Sequence, residues 1–259
     1  MMIRVVCLFI LLANIYAELS LAQDTSKYPQ GVQKLLLAYP TQIISYDGDA
    51  IIMSDGCKIT YKEGGNKSHA ELMNSSHMGD IFVYPYLKGK VDRISKNYDP
   101  GRIRNEELMK KMYGSSSTEV QSNLVTITWC SKLVNQKLKV TTINGIDKQL
   151  KKISDELDKH PELKEYLHSA GTFNWRKVRG ANRMSSHSFG IAIDLNIKYS
   201  DYWQWDCRCT SENADLRYKN RIPQQIVDIF ERYGFIWGGK WYHYDTMHFE
   251  YRPELLLEE

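Results

Sequence analysis

The sequence has almost no excess of charge of either sign. Its 259 residues include 34 Lys and Arg against 31 Asp and Glu, which leaves a formal net charge of +3. The chain also lacks repeats, low-complexity tracts, and any basic cluster interleaved with aromatic residues. Because proteins that bind nucleic acid usually carry a basic patch, this pattern argues against a nucleic-acid partner. A mildly basic chain suits approach to an anionic surface.

Long apolar runs are also absent. The apolar run at residues 5–13 is too short to span a bilayer as a stable helix. Arg4 precedes it, and small residues follow at Ala17 and Ala22, an arrangement typical of a secretory signal peptide. We therefore predict a signal peptide over residues 1–22, cleaved after Ala22 or Ala17, and a secreted or periplasmic protein with no stable membrane insertion after cleavage. An uncleaved membrane tether is the alternative.

Cysteine is scarce, with five residues in the chain. Loss of the signal peptide would remove Cys7 and leave Cys57, Cys130, Cys207 and Cys209. In an oxidising compartment an even number predicts two disulfides, with three possible pairings. Cys207 and Cys209 are not expected to pair with each other, because they lie so close in sequence. A Cys-x-Cys metal site is the competing interpretation, but it has no second cysteine pair at suitable spacing.

Two segments hold residue types that can carry chemistry. The first extends from Ser185 to Asn196 and contains an apolar run at residues 191–195, bounded by polar residues. This pattern is typical of a strand deep in a sheet, and Gly190 would let the chain turn tightly before it. The second segment extends from Asp245 to Tyr251, and within it polar and apolar residues alternate from Met247 to Tyr251 as in a strand.

An aspartate within an apolar run requires a counter-charge. Burial of ionised Asp194 alone would be costly, and a cation held jointly with His187 would offset that cost. Catalytic zinc sites often combine two nitrogen ligands, one carboxylate oxygen and an open position, and His248 supplies the second nitrogen. The alternative is that His187 is a loop histidine and Asp194 a strand-end cap or salt-bridge partner. The combined spacing of the two segments favours one Zn²⁺ ion bound by His187, Asp194 and His248.

The two segments together resemble the signature of the zinc D-alanyl-D-alanine carboxypeptidase and L-alanyl-D-glutamate endopeptidase family, the VanY-type peptidoglycan peptidases. The matching residues are Ser185, His187, Gly190, Ala192, Asp194, Asp245 and His248. The resemblance is specific over residues 171–255 and looser at residues 99–106 and 113–114. It implies an α+β, hedgehog/DD-peptidase-like fold, with helices packed on a small, mostly antiparallel sheet and zinc in a cleft.

The resemblance also implies roles for two further residues. Asp245 lies three residues before His248, so its side chain can reach over the open metal position and act as general base, then general acid. Arg176 matches the arginine that binds the substrate's carbonyl or carboxylate in this family, where a guanidinium stabilises developing negative charge. Arg179 and Arg183 are rivals for this role. Any of the three could instead pair with acidic surface residues.

The sequence indicates less specific roles for the other polar residues. Glu250 is an alternative base, although a hydrogen bond to a metal-binding histidine suits it better. His243 is expected to orient the base, contact product or pack under the tryptophans, without a metal role. His69 is interpreted as a surface or loop histidine, because it has no partner at ligand spacing. Arg102 and Arg104 are predicted to make solvated or structural ion pairs rather than to face the substrate.

The chain is predicted to contain a signal peptide at 1–22, an N-terminal elaboration at 23–120 and a zinc peptidase domain at 121–259. Strands are predicted at residues 43–44, 51–52, 57–61, 124–129, 137–142 and 235–237. Helices are predicted at 99–113, at 146–157, where apolar residues recur at the helical period, and from Pro223 to Tyr233. Residues 171–176 resemble the arginine-bearing strand of the family, and residues 199–220 could form one wall of the substrate cleft or a disulfide-stapled loop.

These features predict a secreted zinc metallopeptidase that hydrolyses amide bonds of peptidoglycan stem peptides, with a zinc-activated water and Asp245 as general base. It is either an L-Ala-D-Glu endopeptidase or a D-Ala-D-Ala carboxypeptidase, and several arginines could supply the pocket that a terminal carboxylate needs. The alternative is a non-catalytic zinc-containing module that binds cell wall or a partner. A base beside an open metal position favours the enzyme.

Overall fold

The computed structural model describes residues 25–257. The predicted signal peptide at 1–22 therefore lies outside the described residues. The strands are β1 (Ile43–Tyr46), β2 (Ala50–Met53), β3 (Lys58–Thr60), β4 (Leu124–Trp129), β5 (Gln136–Thr141), β6 (Ala192–Asp194), β7 (Phe235–Trp237) and β8 (His248–Tyr251). The α-helices are α1 (Gln30–Ala38), α2 (His69–Asn74), α3 (Glu106–Tyr113), α4 (Ser117–Ser122), α5 (Ile146–Leu157), α6 (Trp203–Cys207) and α7 (Gln224–Arg232). Within residues 25–257, no helix is long and apolar enough to cross a membrane.

The strands form small antiparallel sheets, so the α+β class predicted from the sequence is confirmed. In the described part of the chain the strands are divided among three sheets, with orders β1-β2-β3, β4-β5 and β6-β8-β7. The third sheet matters most for function, because β8 lies at its centre and pairs with both β6 and β7. In that pairing Asp194 lies directly opposite His248. Two short strands that are far apart in sequence thus bring their polar residues together.

Helices α5 and α7 cover the sheets with their apolar faces. The buried residues of α5 are Ile146, Leu150, Ile153, Ser154 and Leu157, which repeat at the helical period as predicted. In α7, Phe230 stacks on Phe249 of β8 with ring centroids 4.0 Å apart. Such contacts remove large apolar areas from water and thereby stabilise the sheet that carries the polar pair.

The N-terminal segment packs directly against the rest of the molecule. Val32 and Leu35 of α1 are fully buried in the same apolar cluster as Phe249 of β8. The Tyr39 hydroxyl donates a hydrogen bond to Glu254, with 2.6 Å between the oxygens. The predicted boundary near residue 120 stays a prediction, but residues on its two sides share one core.

Two predicted elements differ from the observed ones. The helix expected from Asp99 begins only at Glu106, because Asn105 caps it by accepting a hydrogen bond from the backbone N–H of Leu108 at 2.8 Å. Upstream, Gly101 has a φ of 93°, which is incompatible with a helix. The expected strand at residues 171–176 is reduced to an isolated bridge at Gly171, and a second isolated bridge follows at Lys177.

The disulfide expectation was wrong. Cys207 and Cys209 are bonded to each other, although their short separation had argued against it. Arg208 between them adopts a left-handed conformation with φ of 53°, and the turn places the two Cα atoms 5.2 Å apart, within disulfide range. Cys57 is exposed and Cys130 is buried, and both are free thiols. The disulfide also removes the thiolates that a Cys-x-Cys metal site would need.

Candidate metal centre

Ser185 and Gly190 determine the backbone conformation around His187 in the first polar segment. Ser185 caps a short 3-10 helix, Ser186–Phe189, that carries His187. Gly190 follows with φ of 67°, and a Cβ there would lie 2.7 Å from Cδ2 of Leu124. A glycine is therefore required both for the left-handed turn and for the close approach to β4. This turn feeds the chain into β6 as predicted.

His187, Asp194 and His248 converge on one point. The Nε2 atom of His187 lies 3.1 Å from Oδ1 of Asp194 and 3.2 Å from Nδ1 of His248. Nδ1 of His248 lies 3.0 Å from the same carboxylate oxygen. The two histidines are only 6% and 5% exposed. The structure thus brings together the three residues that the sequence analysis selected as metal ligands.

The hydrogen bonds behind the two rings determine which nitrogens remain free. Nδ1 of His187 donates to the carbonyl oxygen of Thr172 at 2.7 Å, so its Nε2 carries the lone pair. Nε2 of His248 donates to the carboxylate of Glu250 at 2.9 Å, so in the neutral ring Nδ1 carries the lone pair. Two facing lone pairs repel each other unless a proton or a cation lies between them. The donor set therefore fits a divalent cation.

Charge supports the same interpretation. Burial works against a charged His248 ring, but hydrogen bonds to Asp194 and Glu250 outweigh it and raise the pKa of His248 to about 10. Burial likewise opposes ionisation of Asp194, yet the adjacent His187 and His248 hold its pKa well below the usual value. The carboxylates at this point thus strongly favour a positive charge beside them, which a bound metal ion would supply.

The ion pairs of Glu250 make it unsuitable as the general base. Its side chain is fully buried, and Arg104 and Arg252 both form ion pairs with it. Burial opposes its charge, but Arg104 and the His248 hydrogen bond keep the pKa of Glu250 well below its ordinary range. Glu250 therefore orients His248, as the sequence analysis preferred. The ion pair of Arg104 confirms the structural role predicted for that arginine.

Asp245 lies at the same centre with a free oxygen. Its Oδ1 is buried and has no hydrogen-bond partner within the described residues. Burial and the nearby Asp194 carboxylate raise the pKa of Asp245 to about 7. The loop is held by a hydrogen bond from the Asp245 backbone N–H to the carbonyl of Gly238 at 3.0 Å. A carboxylate with an unused oxygen beside a metal-type cluster can accept and return a proton.

A cleft of about 540 Å³ opens onto these residues. The cluster His187, Asp194 and His248 lines it together with Asp245. Its other lining includes the aromatic residues Tyr202, Trp203, Trp205 and Trp241 and the arginines Arg102, Arg104, Arg176, Arg179 and Arg183. Residues of the 199–220 segment thus form part of the cleft wall, as predicted. Arg176 and both of its rivals line the cleft.

A second polar cluster, which was not predicted from the sequence, lies beside the cleft, and Arg102 and His243 line both. It contains His69, Asp99, Glu212 and His243. Arg102 occupies its centre, with Nη1 2.8 Å from Asp99 and 2.9 Å from Glu212. Both ring nitrogens of His243 lie within hydrogen-bond distance of oxygen atoms, at 2.7 Å from Asp99 and 3.0 Å from the Glu212 carbonyl. This cluster is an ion network, and His69 belongs to it rather than to a loop surface.

Sequence comparison agrees with the site. The fold is α+β and its cleft presents a two-histidine, one-carboxylate cluster, as expected of a peptidase with a metal centre. Residues 179–251 match the family described as D-alanyl-D-alanine carboxypeptidase, which confirms, for this part of the chain, the resemblance predicted from the sequence. His187, Asp194, Asp245 and His248 lie inside the matched range, and Arg176 lies just outside it. No curated protein sequence matches the chain.

Proposed function

We propose that this protein is a secreted zinc peptidase that hydrolyses an amide bond of peptidoglycan stem peptides. The proposal rests chiefly on one observation: two histidine lone pairs and a carboxylate oxygen converge beside Asp245, whose buried Oδ1 has no hydrogen-bond partner among residues 25–257. The family match supports the peptidase class. The preferred bond is either the L-Ala-D-Glu bond inside the stem or the terminal D-Ala-D-Ala bond.

His187, Asp194 and His248 would hold one Zn²⁺ ion through Nε2, a carboxylate oxygen and Nδ1. When bound, zinc lowers the pKa of a water molecule and polarises a carbonyl group. The rings would be fixed for this task by Thr172 and Glu250, which accept hydrogen bonds from their other nitrogens.

Asp245 would move the proton during hydrolysis. Its free oxygen accepts a proton from the attacking water, while the water oxygen bonds to the carbonyl carbon. The same oxygen then delivers that proton to the leaving nitrogen as the C–N bond breaks. Asp245 must be ionised at the start, and a cation at the neighbouring cluster would favour that form.

Arg176 would support the carbonyl side of the reaction. Its side chain is exposed and lines the cleft, and the one hydrogen bond that its guanidinium makes within residues 25–257, to the Lys177 carbonyl, is long at 3.4 Å. The guanidinium can therefore bind a ligand. A guanidinium there donates hydrogen bonds to the carbonyl oxygen as negative charge develops on it.

The test is product identification. The zinc-loaded protein is incubated with defined muropeptides and the products are identified by mass spectrometry, with His187→Ala as the inactive variant. His168→Ala, which removes an exposed histidine outside the cleft, is the matched control and should retain activity. A new N-terminal D-Glu identifies an endopeptidase, and loss of one terminal D-Ala identifies a carboxypeptidase. Cleavage of neither bond, with zinc bound, would contradict the proposal and favour a zinc-containing binding module.

A further inference from the structure

Arg183 is an incompletely paired cation in the wall of the cleft. Its loop is closed by a bridge between Lys177 and Met184, and its side chain reaches across to donate from Nη1 to the carbonyl oxygen of Met73 at 3.0 Å. Its Nε is buried and has no hydrogen-bond partner among residues 25–257. No carboxylate in that range forms an ion pair with it. A buried guanidinium donor without an acceptor is costly, so the site is suited to receive one.

The other arginines of the cleft differ from Arg183. Arg102 is paired with Asp99 and Glu212, and Arg104 is paired with Glu250. Their guanidinium groups are therefore already matched by carboxylates. Arg176 and Arg179 are exposed, so water can solvate their charge.

The surroundings of Arg183 also favour the binding of an anion. Burial, together with the nearby positive charges of Arg102 and Arg104, lowers the pKa of Arg183 to about 10. Because these surroundings disfavour an unpaired positive charge, an anion bound to Arg183 would be stabilised. Guanidinium groups bind carboxylates with paired hydrogen bonds, and such charge-assisted bonds are strongest away from water.

We propose that Arg183 binds a carboxylate on the substrate residue that supplies the leaving nitrogen. This rests on the proposed function. Both candidate substrates carry that group: a terminal D-Ala has its own carboxylate, and a D-Glu linked onward through its side chain keeps a free carboxylate on Cα. By binding this shared carboxylate, Arg183 would select the residue that leaves, while Arg176 contacts the scissile carbonyl.

Matched acid and amide substrates test the assignment. One pair contains a stem peptide with D-Glu and its analogue with the Cα carboxylate converted to carboxamide. The other pair contains a peptide ending in D-Ala-D-Ala and its C-terminal amide. We expect the protein to prefer the acid in the pair it cleaves, and Arg183→Gln to lower kcat/KM for that acid by about tenfold to a hundredfold while barely affecting the amide.

Two further variants distinguish carboxylate binding by Arg183 from an effect of the total charge of the cleft and from a structural role of this residue. Lys177→Gln removes an exposed cation of the same cleft and should leave the acid preference unchanged. Arg183→Lys keeps the charge without the planar fork and should keep part of the preference. A folded Arg183→Gln protein that retains the full acid preference overturns the inference, whatever its melting temperature, because a purely structural role would affect both substrates alike.

Binding measurements keep this inference separate from the proposed function. If the zinc-loaded protein cleaves none of the four peptides, the proposed function fails. Calorimetric titration of the same peptides then decides the role of Arg183. Tighter binding of the acids, lost in Arg183→Gln, supports it, whereas equal binding of acid and amide overturns it.

Discussion

Asp99 accepts two hydrogen bonds from His243, one from the backbone N–H at 2.9 Å and one from ring Nδ1 at 2.7 Å. Both side chains are fully buried. His243 lies two residues before Asp245, so a residue of the N-terminal segment holds the loop that carries the proposed base. The N-terminal segment therefore contacts the loop that carries Asp245 as well as the apolar core.

Replacement of Asp99 should destabilise the protein and lower its activity. Asp99→Asn removes the negative charge that faces Arg102 and the two donors of His243. Breaking such a buried pair is expected to lower the free energy of unfolding by about 3 kcal/mol, measured by urea denaturation. The matched control is Asp92→Asn, because the Asp92 side chain is 79% exposed and pairs with Lys90 at the surface. That variant should change stability by less than about 0.5 kcal/mol, and a similar loss in both would contradict the argument.

Asp99 should also contribute to acid sensitivity. Burial opposes its charge, but Arg102 and the hydrogen bonds from His243 outweigh burial and lower the pKa of Asp99 to about 2. Because the folded pKa lies below the unfolded value, its stabilisation is fully present above about pH 4 and is lost as the pH falls towards 2, by about 2 kcal/mol in all. Unfolding free energies measured from pH 5 to pH 2 should fall less steeply in Asp99→Asn than in the wild type. Parallel curves would show that Asp99 does not contribute.

Zinc should stabilise the folded protein. Binding to the folded state alone at a hundredfold excess over Kd adds about 2.7 kcal/mol, so chelation should lower the melting temperature and added zinc should restore it. In His248→Ala, bound zinc measured by mass spectrometry should fall well below one ion per chain, and the melting temperature should no longer respond to zinc. A full zinc equivalent in that variant would rule out His248 as a ligand.

Asp245→Asn should separate metal binding from turnover. The amide has nearly the same shape but cannot accept a proton, so we expect kcat to fall by about 10²- to 10⁴-fold with zinc content unchanged. The measurement combines zinc analysis with a kinetic assay on the muropeptide that the wild type cleaves. Wild-type turnover with zinc bound would exclude Asp245 as the base.

Gly190 should tolerate no side chain. Gly190→Ala places a methyl group 2.7 Å from Leu124 in a left-handed turn, and about 3 kcal/mol of stability should be lost. Gly180→Ala is the control for the turn alone, because Gly180 has φ of 77° with open space around it, and it should cost about 1 kcal/mol. Thermal denaturation measures both losses. Equal losses would show that the contact with β4 is unimportant.

Much of the local structure could be predicted from the sequence. Helix α5 and strands β4 and β5 have periodic patterns, and the short apolar runs at residues 235–237 and around Asp194 predicted β7 and β6. Prediction failed where a single residue overrides the pattern. Asn105 begins α3 later than expected, and the left-handed Arg208 allows a disulfide between near neighbours.

The sequence by itself determined the residue types of the site and the strands that carry Asp194 and His248, because these depend on the order of nearby residues. Only the tertiary structure decided their partners. Glu250 meets Arg104 from 146 residues away, His243 meets Asp99 from 144, and Arg183 reaches Met73 from 110. Local patterns contain no information on such distant pairs, since burial and packing of the whole chain determine which charged groups meet.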